Sequence, residues 1–242
     1  MNIHIFDSEA KINEVGANII ASVVQTKSNA VLGLATGGTP VGIYAKLVEA
    51  YEAGLVSFKN VTTYNLDEYV GIDENHEQSY RYYMQQNLFN HVDVQPERTH
   101  VPFGKAEDLQ SECARYDQEI EQAGQLDIQL LGLGHNGHIG FNEPEQTLSS
   151  GTHVVQLAEE TRNANARYFN SLDEVPSQAI TMGVGTILKA KMLLLVVKGA
   201  DKADIVKQAL QGPISTQCPA SLLQLHPNLV VLLDEAAGSK LL

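Results

Sequence analysis

The chain has 242 residues, of which 43% are hydrophobic and 19% charged, as is typical of one large globular domain rather than a disordered protein. Its formal net charge of -13 argues against a nucleic-acid partner, and no apolar run reaches the roughly 18 residues that a membrane-spanning helix needs. Two cysteines, Cys113 and Cys218, supply neither a disulfide framework nor a zinc ligand set, so we expect a reducing cytoplasm.

The acidic excess is confined to one part of the chain. Residues 1–150 hold 21 acidic and 8 basic side chains, a net charge of -13, whereas residues 151–242 hold 8 of each, a net charge of 0. Composition alone assigns no function to this asymmetry.

Short apolar runs alternate with longer amphipathic runs along the chain, so strands and helices are predicted to alternate. The predicted strands are Asn2–Phe6, Ala30–Leu34, Val61–Leu66, a short one near His100–Val101, Leu126–Leu133, Thr152–Leu157, Lys191–Val197 and Leu229–Leu233. The predicted helices are Ser8–Lys27, one that begins at Thr39-Pro40 and ends near Gly54, Ser79–Asn90, Asp108–Ala123, Thr161–Asn170 and Ala200–Leu210.

This order predicts one α/β domain over residues 1–242, with a doubly wound, mostly parallel, Rossmann-like sheet and helices on both faces. Several strands are apolar without alternation, as strands covered on both faces are. In such folds ligands bind at the carboxyl ends of the strands, so the loops that follow the strands are the candidate site.

The first such loop is Thr36-Gly37-Gly38-Thr39-Pro40, between a strand and a helix. Two glycines let the backbone approach a ligand, and the helix start offers free N–H groups, which suits a phosphate. An ordinary tight turn with Thr39 as the helix cap explains the same residues. The lysine and hydroxyl residue of a P-loop are missing.

The second loop, Asn65–Tyr69, carries the adjacent acids Asp67 and Glu68. Such acids can be a general base, metal ligands or a solvated turn. Their place on the carboxyl edge favours a function, and a partly buried carboxylate can accept a proton from carbon.

The third loop, Gly132–Pro144, begins as G-x-G-x-x-G, but no helix follows at once, so it is not a dinucleotide-binding fingerprint. It is rich in groups that handle protons. Two histidines three apart in a loop, with no cysteine near, argue against a zinc site. The candidate residues are His135, Asn136, His138, Asn142 and Glu143.

Cations follow in the C-terminal part. Lys202 lies in the loop after the strand Lys191–Val197, and Arg162 and Arg167 lie on one predicted helix. Lysine and arginine suit a phosphate, although Arg167 could equally pair with an acid.

Four stretches together resemble the glucosamine-6-phosphate deaminase family, and they match in order along nearly the whole chain. They are Thr36–Pro40, Leu66–Tyr69, Gly134–Pro144 and Leu223–His226. The resemblance implies conversion of D-glucosamine 6-phosphate and water to D-fructose 6-phosphate and ammonia, with neither metal nor organic cofactor.

The resemblance also implies residue roles. Asp67 matches the base that moves a proton between C2 and C1, and His138, supported by Glu143, matches the group that assists ring opening. Asn136 stands where longer members carry Asp, so it can hydrogen-bond His138 without accepting a proton. The residues that match the phosphate contacts are Thr36, Gly37, Gly38, Thr39, Arg167 and Lys202.

The chain departs from the family at a few positions. Glu145 replaces the usual Gly after Asn-Glu-Pro, and His153 and Val155 stand where regulated hexameric members carry basic residues. We therefore expect a monomer or small homo-oligomer without activation by N-acetylglucosamine 6-phosphate.

Two other functions fit parts of the pattern. A 6-phosphogluconolactonase shares the Gly-Gly-Thr-Pro loop but differs at Leu66–Tyr69 and Ile139–Pro144. A non-catalytic sugar-phosphate sensor would carry a helix-turn-helix ahead of this fold, whereas here the first strand is predicted to begin at Asn2.

Overall fold

The computed structural model describes residues 1–166, 169 and 171–241, without the side chains of Glu160, Ala164 and Asn165. Within these residues, no helix combines the length and the apolar character needed to cross a bilayer.

Seven strands form one sheet in which every neighbouring pair is parallel. Its central strands are apolar except for Gln129 and are buried over their whole length, because helices cover both faces. The strands are β1 (Asn2–Phe6), β2 (Val31–Leu34), β3 (Thr62–Asn65), β5 (Thr99–His100), β6 (Ile128–Leu131), β9 (Leu193–Val197) and β10 (Leu229–Asp234).

The order of these strands is β1-β10-β9-β6-β2-β3-β5. From β2 the chain continues outward through β3 and β5, and from β6 it continues the other way through β9 and β10. The winding therefore reverses between β2 and β6, and the loops after these two strands border the crevice in which α/β proteins bind ligands.

The helices connect the strands, and those that were predicted lie within a few residues of the predicted bounds, whereas α6 and α8 were not predicted. They are α1 (Glu9–Thr26), α2 (Val41–Glu52), α3 (Tyr80–Asn87), α4 (Leu109–Gln122), α5 (Glu159–Asn165), α6 (Val184–Leu188), α7 (Ala203–Gln211) and α8 (Glu235–Gly238). The end of the predicted helix Thr161–Asn170 lies partly outside the described residues.

A second sheet of three antiparallel strands corrects two local predictions. It has the order β4 (Asp67–Tyr69), β8 (Gln178–Thr181) and β7 (His153–Gln156). The predicted strand Thr152–Leu157 lies here and not in the parallel sheet, and part of the predicted loop Asn65–Tyr69 is a strand. Neither β4, which has three residues of which two are acidic, nor the short β8 contains the apolar run that predicts a strand.

The start of α2 corrects a third prediction. Thr39 is not the helix cap: Pro40 takes that position, and no side chain caps the helix. The Thr39 hydroxyl instead lies near Gly132, where an added Cβ would be 3.7 Å from its oxygen. The threonine is thus left to face the crevice between β2 and β6.

Candidate active site

A cavity of about 420 Å³ opens at the carboxyl ends of β2 and β6. It is the place where the loops of residues 36–39 and 132–140 meet the start of β4. The predicted site residues that line it are Thr36, Gly37, Gly38, Thr39, Asp67, Asn136, His138 and Lys202.

Asp67 is placed by the second sheet. It begins β4 directly after the parallel strand β3, and it pairs in register with Thr181 of β8. Its side chain is buried beside the cavity, with 6% of the residue exposed. Burial, and then the negative charge of Glu68, raise the pKa of Asp67 to about 8. Such a carboxylate is a strong base once it has lost its proton.

The loop of residues 134–140 approaches Asp67 at Gly140. A Cβ on Gly140 would lie 3.7 Å from Asp67 Oδ2 and 2.9 Å from Thr181 Oγ1, and the backbone has a φ of +57° there. Glycine is therefore needed for both space and conformation. The close approach brings the histidine-bearing loop and the carboxylate to one side of the cavity.

His138 is held by two neighbours in its own loop. Its Nδ1 lies 2.8 Å from Asn136 Oδ1 and 3.3 Å from Glu143 Oε2. Its ring lies over Gly134, where an added Cβ would be 2.3 Å from three ring atoms. Only a glycine at position 134 leaves room for this ring.

Asn136 joins the other two residues into a triad of Asn136, His138 and Glu143. Its Nδ2 donates to Glu143 Oε2 at 2.5 Å, which directs its Oδ1 toward His138. Both neighbours of His138 Nδ1 are therefore oxygen acceptors, and Nδ1 of a neutral ring carries the hydrogen. Nε2 is then the nitrogen with a lone pair to offer to a ligand.

Glu143 is buried, and its second oxygen is also occupied. Thr161, near the start of α5, donates its hydroxyl to Glu143 Oε1 at 2.5 Å. Burial by itself raises the pKa of Glu143. The hydrogen bond and charge of His138, with the hydrogen bonds of Thr161 and Asn136, outweigh it and lower this pKa to about 2. Glu143 is thus a fixed anion behind the histidine.

The loop of residues 36–39 presents its backbone to the cavity. A Cβ on Gly37 or Gly38 would meet no atom within 4 Å, so nothing separates this backbone from a ligand. Behind the loop, Tyr83 of α3 donates its hydroxyl to the Gly37 carbonyl at 2.7 Å. Lys198 donates to the Thr39 carbonyl at 3.4 Å and pairs with Glu9 at 2.5 Å. The loop is therefore supported from two sides.

Lys202 brings a cation to the same cavity. It directly precedes α7, lines the cavity, and donates from Nζ to the Leu133 carbonyl at 2.8 Å. This lysine and the loop of residues 36–39 line the same cavity. Arg167, the other predicted phosphate contact, lies outside the described residues.

An aromatic wall completes the cavity and was not predicted. Tyr69 and Tyr80 lie with ring centroids 4.9 Å apart, and Tyr80 stacks on Phe141 at 6.2 Å. Phe169 meets the edge of Tyr69 at 5.8 Å. These rings come from four separate segments, so no local pattern joins them. Thr161, whose partner is 18 residues earlier, was missed for the same reason.

His135 differs from the other loop residues, because it lies at the rim of the cavity. Its Nε2 is 2.8 Å from Asp201 Oδ2, and both side chains are more than half exposed. Among the residues that the structure describes, no group of three or more His, Cys, Asp and Glu side chains could hold a metal ion.

Comparison with known proteins gives a family match over most of the chain. Residues 7–231 match the family described as glucosamine-6-phosphate isomerases/6-phosphogluconolactonase. The chain is 53% identical to a glucosamine-6-phosphate deaminase of Bacillus velezensis, over 98% of this chain and 99% of that protein. It is 47% identical to a glucosamine-6-phosphate deaminase of Thermoanaerobacter pseudethanolicus, over 99% and 94%.

Solved structures give the same relationship. A monomeric glucosamine-6-phosphate deaminase superposes with a TM-score of 0.97 at 48% identity, over 99% of this chain and 100% of that one. The 6-phosphogluconolactonase of Thermotoga maritima superposes with a TM-score of 0.77 at 17% identity, over 96% and 99%. The match to the 6-phosphogluconolactonase shows a shared fold.

Proposed function

The chain belongs to the family of glucosamine-6-phosphate isomerases and 6-phosphogluconolactonases, and on that premise we propose that it is a glucosamine-6-phosphate deaminase. It converts D-glucosamine 6-phosphate and water to D-fructose 6-phosphate and ammonia. The observation that carries the proposal is the approach of Asp67 to the His138 loop on one side of a single cavity.

Ring opening falls to His138. The triad leaves Nε2 of the neutral imidazole as an acceptor, suited to take the proton from the C1 hydroxyl of the cyclic sugar. The imidazolium that forms is stabilised by the Glu143 anion, which lies 3.3 Å from Nδ1. The proton then passes to the ring oxygen as the C1–O5 bond breaks, and the open-chain aldehyde results.

Proton transfer between carbons falls to Asp67. The ionised carboxylate removes the C2 proton of the aldehyde while the aldehyde oxygen takes a proton from water, which gives an enolamine. The carboxyl then returns its proton to C1 as the nitrogen releases a proton to water. The product is an imine at C2. Water adds to this imine carbon, and the C2–N bond breaks to release ammonia and leave the ketone of fructose 6-phosphate. A pKa of about 8 suits this carboxyl, because it both accepts and returns a proton near neutral pH.

The phosphate is assigned to the loop of residues 36–39 with Lys202, and Arg167 remains its proposed third contact. The exposed backbone at Gly37 and Gly38 and the Lys202 ammonium are suited to an anion. Binding energy at this remote group fixes the position of C1 and C2.

The lactonase alternative has less support, since its likeness to this chain lies in the fold and the identity is 17%. The test offers both substrates to the purified protein. We expect glucosamine 6-phosphate to give ammonia and fructose 6-phosphate in equal amounts. Hydrolysis of 6-phosphogluconolactone without release of ammonia from glucosamine 6-phosphate overturns the assignment.

We propose further that the enzyme works as a monomer in a reducing compartment such as the cytoplasm. A monomeric deaminase structure at 48% identity supports the first part, and two buried free thiols, Cys113 and Cys218, support the second. Light scattering at several concentrations tests the first part, and a constant mass of one chain is expected.

A further inference from the structure

Glu68 is a buried carboxylate that the mechanism does not use. It follows Asp67 directly in β4, and since successive strand side chains point to opposite faces, it points away from the cavity. Only 3% of the residue is exposed. Its Oε1 accepts from the N–H groups of Tyr69 at 2.9 Å and Tyr80 at 3.0 Å, and its Oε2 accepts from the N–H of Arg81 at 3.1 Å.

Two of these donors are the first N–H groups of α3. Helix starts have free N–H groups, which are usually capped by the residue just before the helix. Here the side chain of that residue, Ser79, accepts from the N–H of Tyr82. Glu68 accepts from the other two across 12 and 13 positions of the chain. The start of α3 is therefore fastened to the strand of Asp67.

One turn further along, the same helix reaches the proposed phosphate loop. Tyr83 donates its hydroxyl to the Gly37 carbonyl at 2.7 Å. Both Tyr80 and Tyr83 line the cavity. The first turn of α3 thus spans the distance between the strand of the base and the loop that holds the phosphate.

We propose that Glu68 is a positioning residue that fixes the Asp67 strand, through the first turn of α3 and Tyr83, relative to the Gly37 loop. A phosphate held at this loop then places C2 of the sugar at the Asp67 carboxylate. The roles of Asp67 and the loop rest on the proposed deaminase function.

The charge of Glu68 gives the proposal a direct readout. Among the described residues, the charged or titratable neighbours of Glu68 include Asp67 and Tyr69 on its own strand and Tyr80 and Arg81 on α3. Burial raises the pKa of Glu68 to about 7, although three backbone hydrogen bonds and the charge of Arg81 act to lower it. Its negative charge in turn adds to the effect of burial on the pKa of Asp67. Removal of this charge therefore lowers the pKa of Asp67.

The test compares Glu68→Gln, Tyr83→Phe and their double variant with Asp108→Asn. Asp108 caps α4 by accepting from the N–H groups of Gln110 and Ser111, and α4 does not line the cavity, so this variant is the control for the loss of charge at a carboxylate that caps a helix. Three quantities are measured: the Asp67 carboxyl pKa by carbon-13 NMR, the Kd of inorganic phosphate by calorimetry, and kcat and KM for glucosamine 6-phosphate.

For Glu68→Gln we expect a lower Asp67 pKa, a kcat at least tenfold lower, and phosphate binding at least threefold weaker. For Tyr83→Phe we expect a similar loss of phosphate affinity. In the double variant these losses should fall short of additive, because both act through α3. Asp108→Asn should change none of the three quantities.

An unchanged Asp67 pKa together with unchanged phosphate affinity in folded Glu68→Gln overturns the proposal, and so do strictly additive losses. If Glu68→Gln does not fold, Tyr83→Phe provides the test, and an unchanged phosphate Kd in that variant overturns the proposal. The pKa and the phosphate Kd need no turnover. Failure of the deaminase assignment, seen as no ammonia from the wild type, is therefore distinct from failure of this proposal.

Discussion

Asn136 donates from Nδ2 to Glu143 Oε2 at 2.5 Å. The amide makes two contacts, and a carboxylate can make the first of them only when it holds a proton. It satisfies one oxygen of a buried anion, and it leaves its own oxygen for His138 Nδ1. The histidine tautomer is thus set by an uncharged residue.

The first prediction concerns Asn136→Asp. Two carboxyl oxygens 2.5 Å apart cannot both be ionised when buried, so the pair must hold one proton at neutral pH. We expect the variant to lose stability relative to the wild type, by about 1 kcal/mol for each pH unit, as the pH rises from about 4 toward the raised pKa of the folded pair. Urea unfolding at several pH values measures this, and a difference from the wild type that does not vary with pH contradicts it.

The second prediction concerns Thr161→Val. It removes the hydroxyl that donates to Glu143 Oε1, at a cost of about 1–2 kcal/mol in stability. It also leaves Glu143 free to move from His138, so kcat should fall about tenfold or more. Thr186→Val is the matched control, because Thr186 donates to Asp117 Oδ1 at 3.0 Å and does not line the cavity. Equal losses of kcat in the two variants rule out the role of Thr161.

The third prediction concerns Asp67→Asn and stability. The pKa of Asp67 is about 8 in the folded chain and has a reference value of 3.8, so between these values the folded state holds a proton that the unfolded state lacks. Stability therefore falls as the pH rises through this window. Asparagine carries no charge, so the variant should be more stable than the wild type by about 1 kcal/mol or more at about pH 8.5, and similar to it at about pH 4.

Asp127→Asn is the control of opposite sign. Asp127 is also buried, and although burial raises its pKa, hydrogen bonds from Lys191 and Lys27 lower it overall. A lowered pKa contributes stability above the unfolded value, so this variant should be less stable than the wild type at neutral pH. If both substitutions stabilised the protein, burial rather than the partners of each carboxyl would determine the direction of its pKa shift.

The fourth prediction concerns Lys202→Ala. The Lys202 ammonium is the cation proposed to bind the phosphate. In the variant, KM for glucosamine 6-phosphate should therefore rise about tenfold or more while the fold is kept. Lys207→Ala, at an exposed position of α7, removes the same charge away from the cavity and should leave KM unchanged. Equal KM values for the two variants would remove Lys202 from the site.

The sequence predicted the parallel sheet well, because strands buried on both faces carry unbroken apolar runs such as Leu193–Val197. It did not predict the antiparallel sheet. Asp67–Tyr69 is three residues long and begins with two acids, and its strand pairing is with residues more than 100 positions away. Tertiary pairing, rather than local preference, makes it a strand.

The candidate site shows the same division. Asp67, Asn136, His138 and Lys202 could be named in advance because loops after parallel strands converge, and the structure places them around one cavity. The contacts that orient them could not be named. The bond between Tyr83 and Gly37 joins residues 46 positions apart, and no local pattern encodes it.

Exchange of the proton at C2 tests the central claim most directly, namely that Asp67 is the base in this cavity. The reaction is run in deuterium oxide, and deuterium at C2 of recovered glucosamine 6-phosphate and at C1 of fructose 6-phosphate is followed by NMR. We predict that the wild type incorporates deuterium, and that Asp67→Asn incorporates none while it still binds inorganic phosphate with the affinity of the wild type. Deuterium incorporation by Asp67→Asn at a near-normal rate would contradict the account.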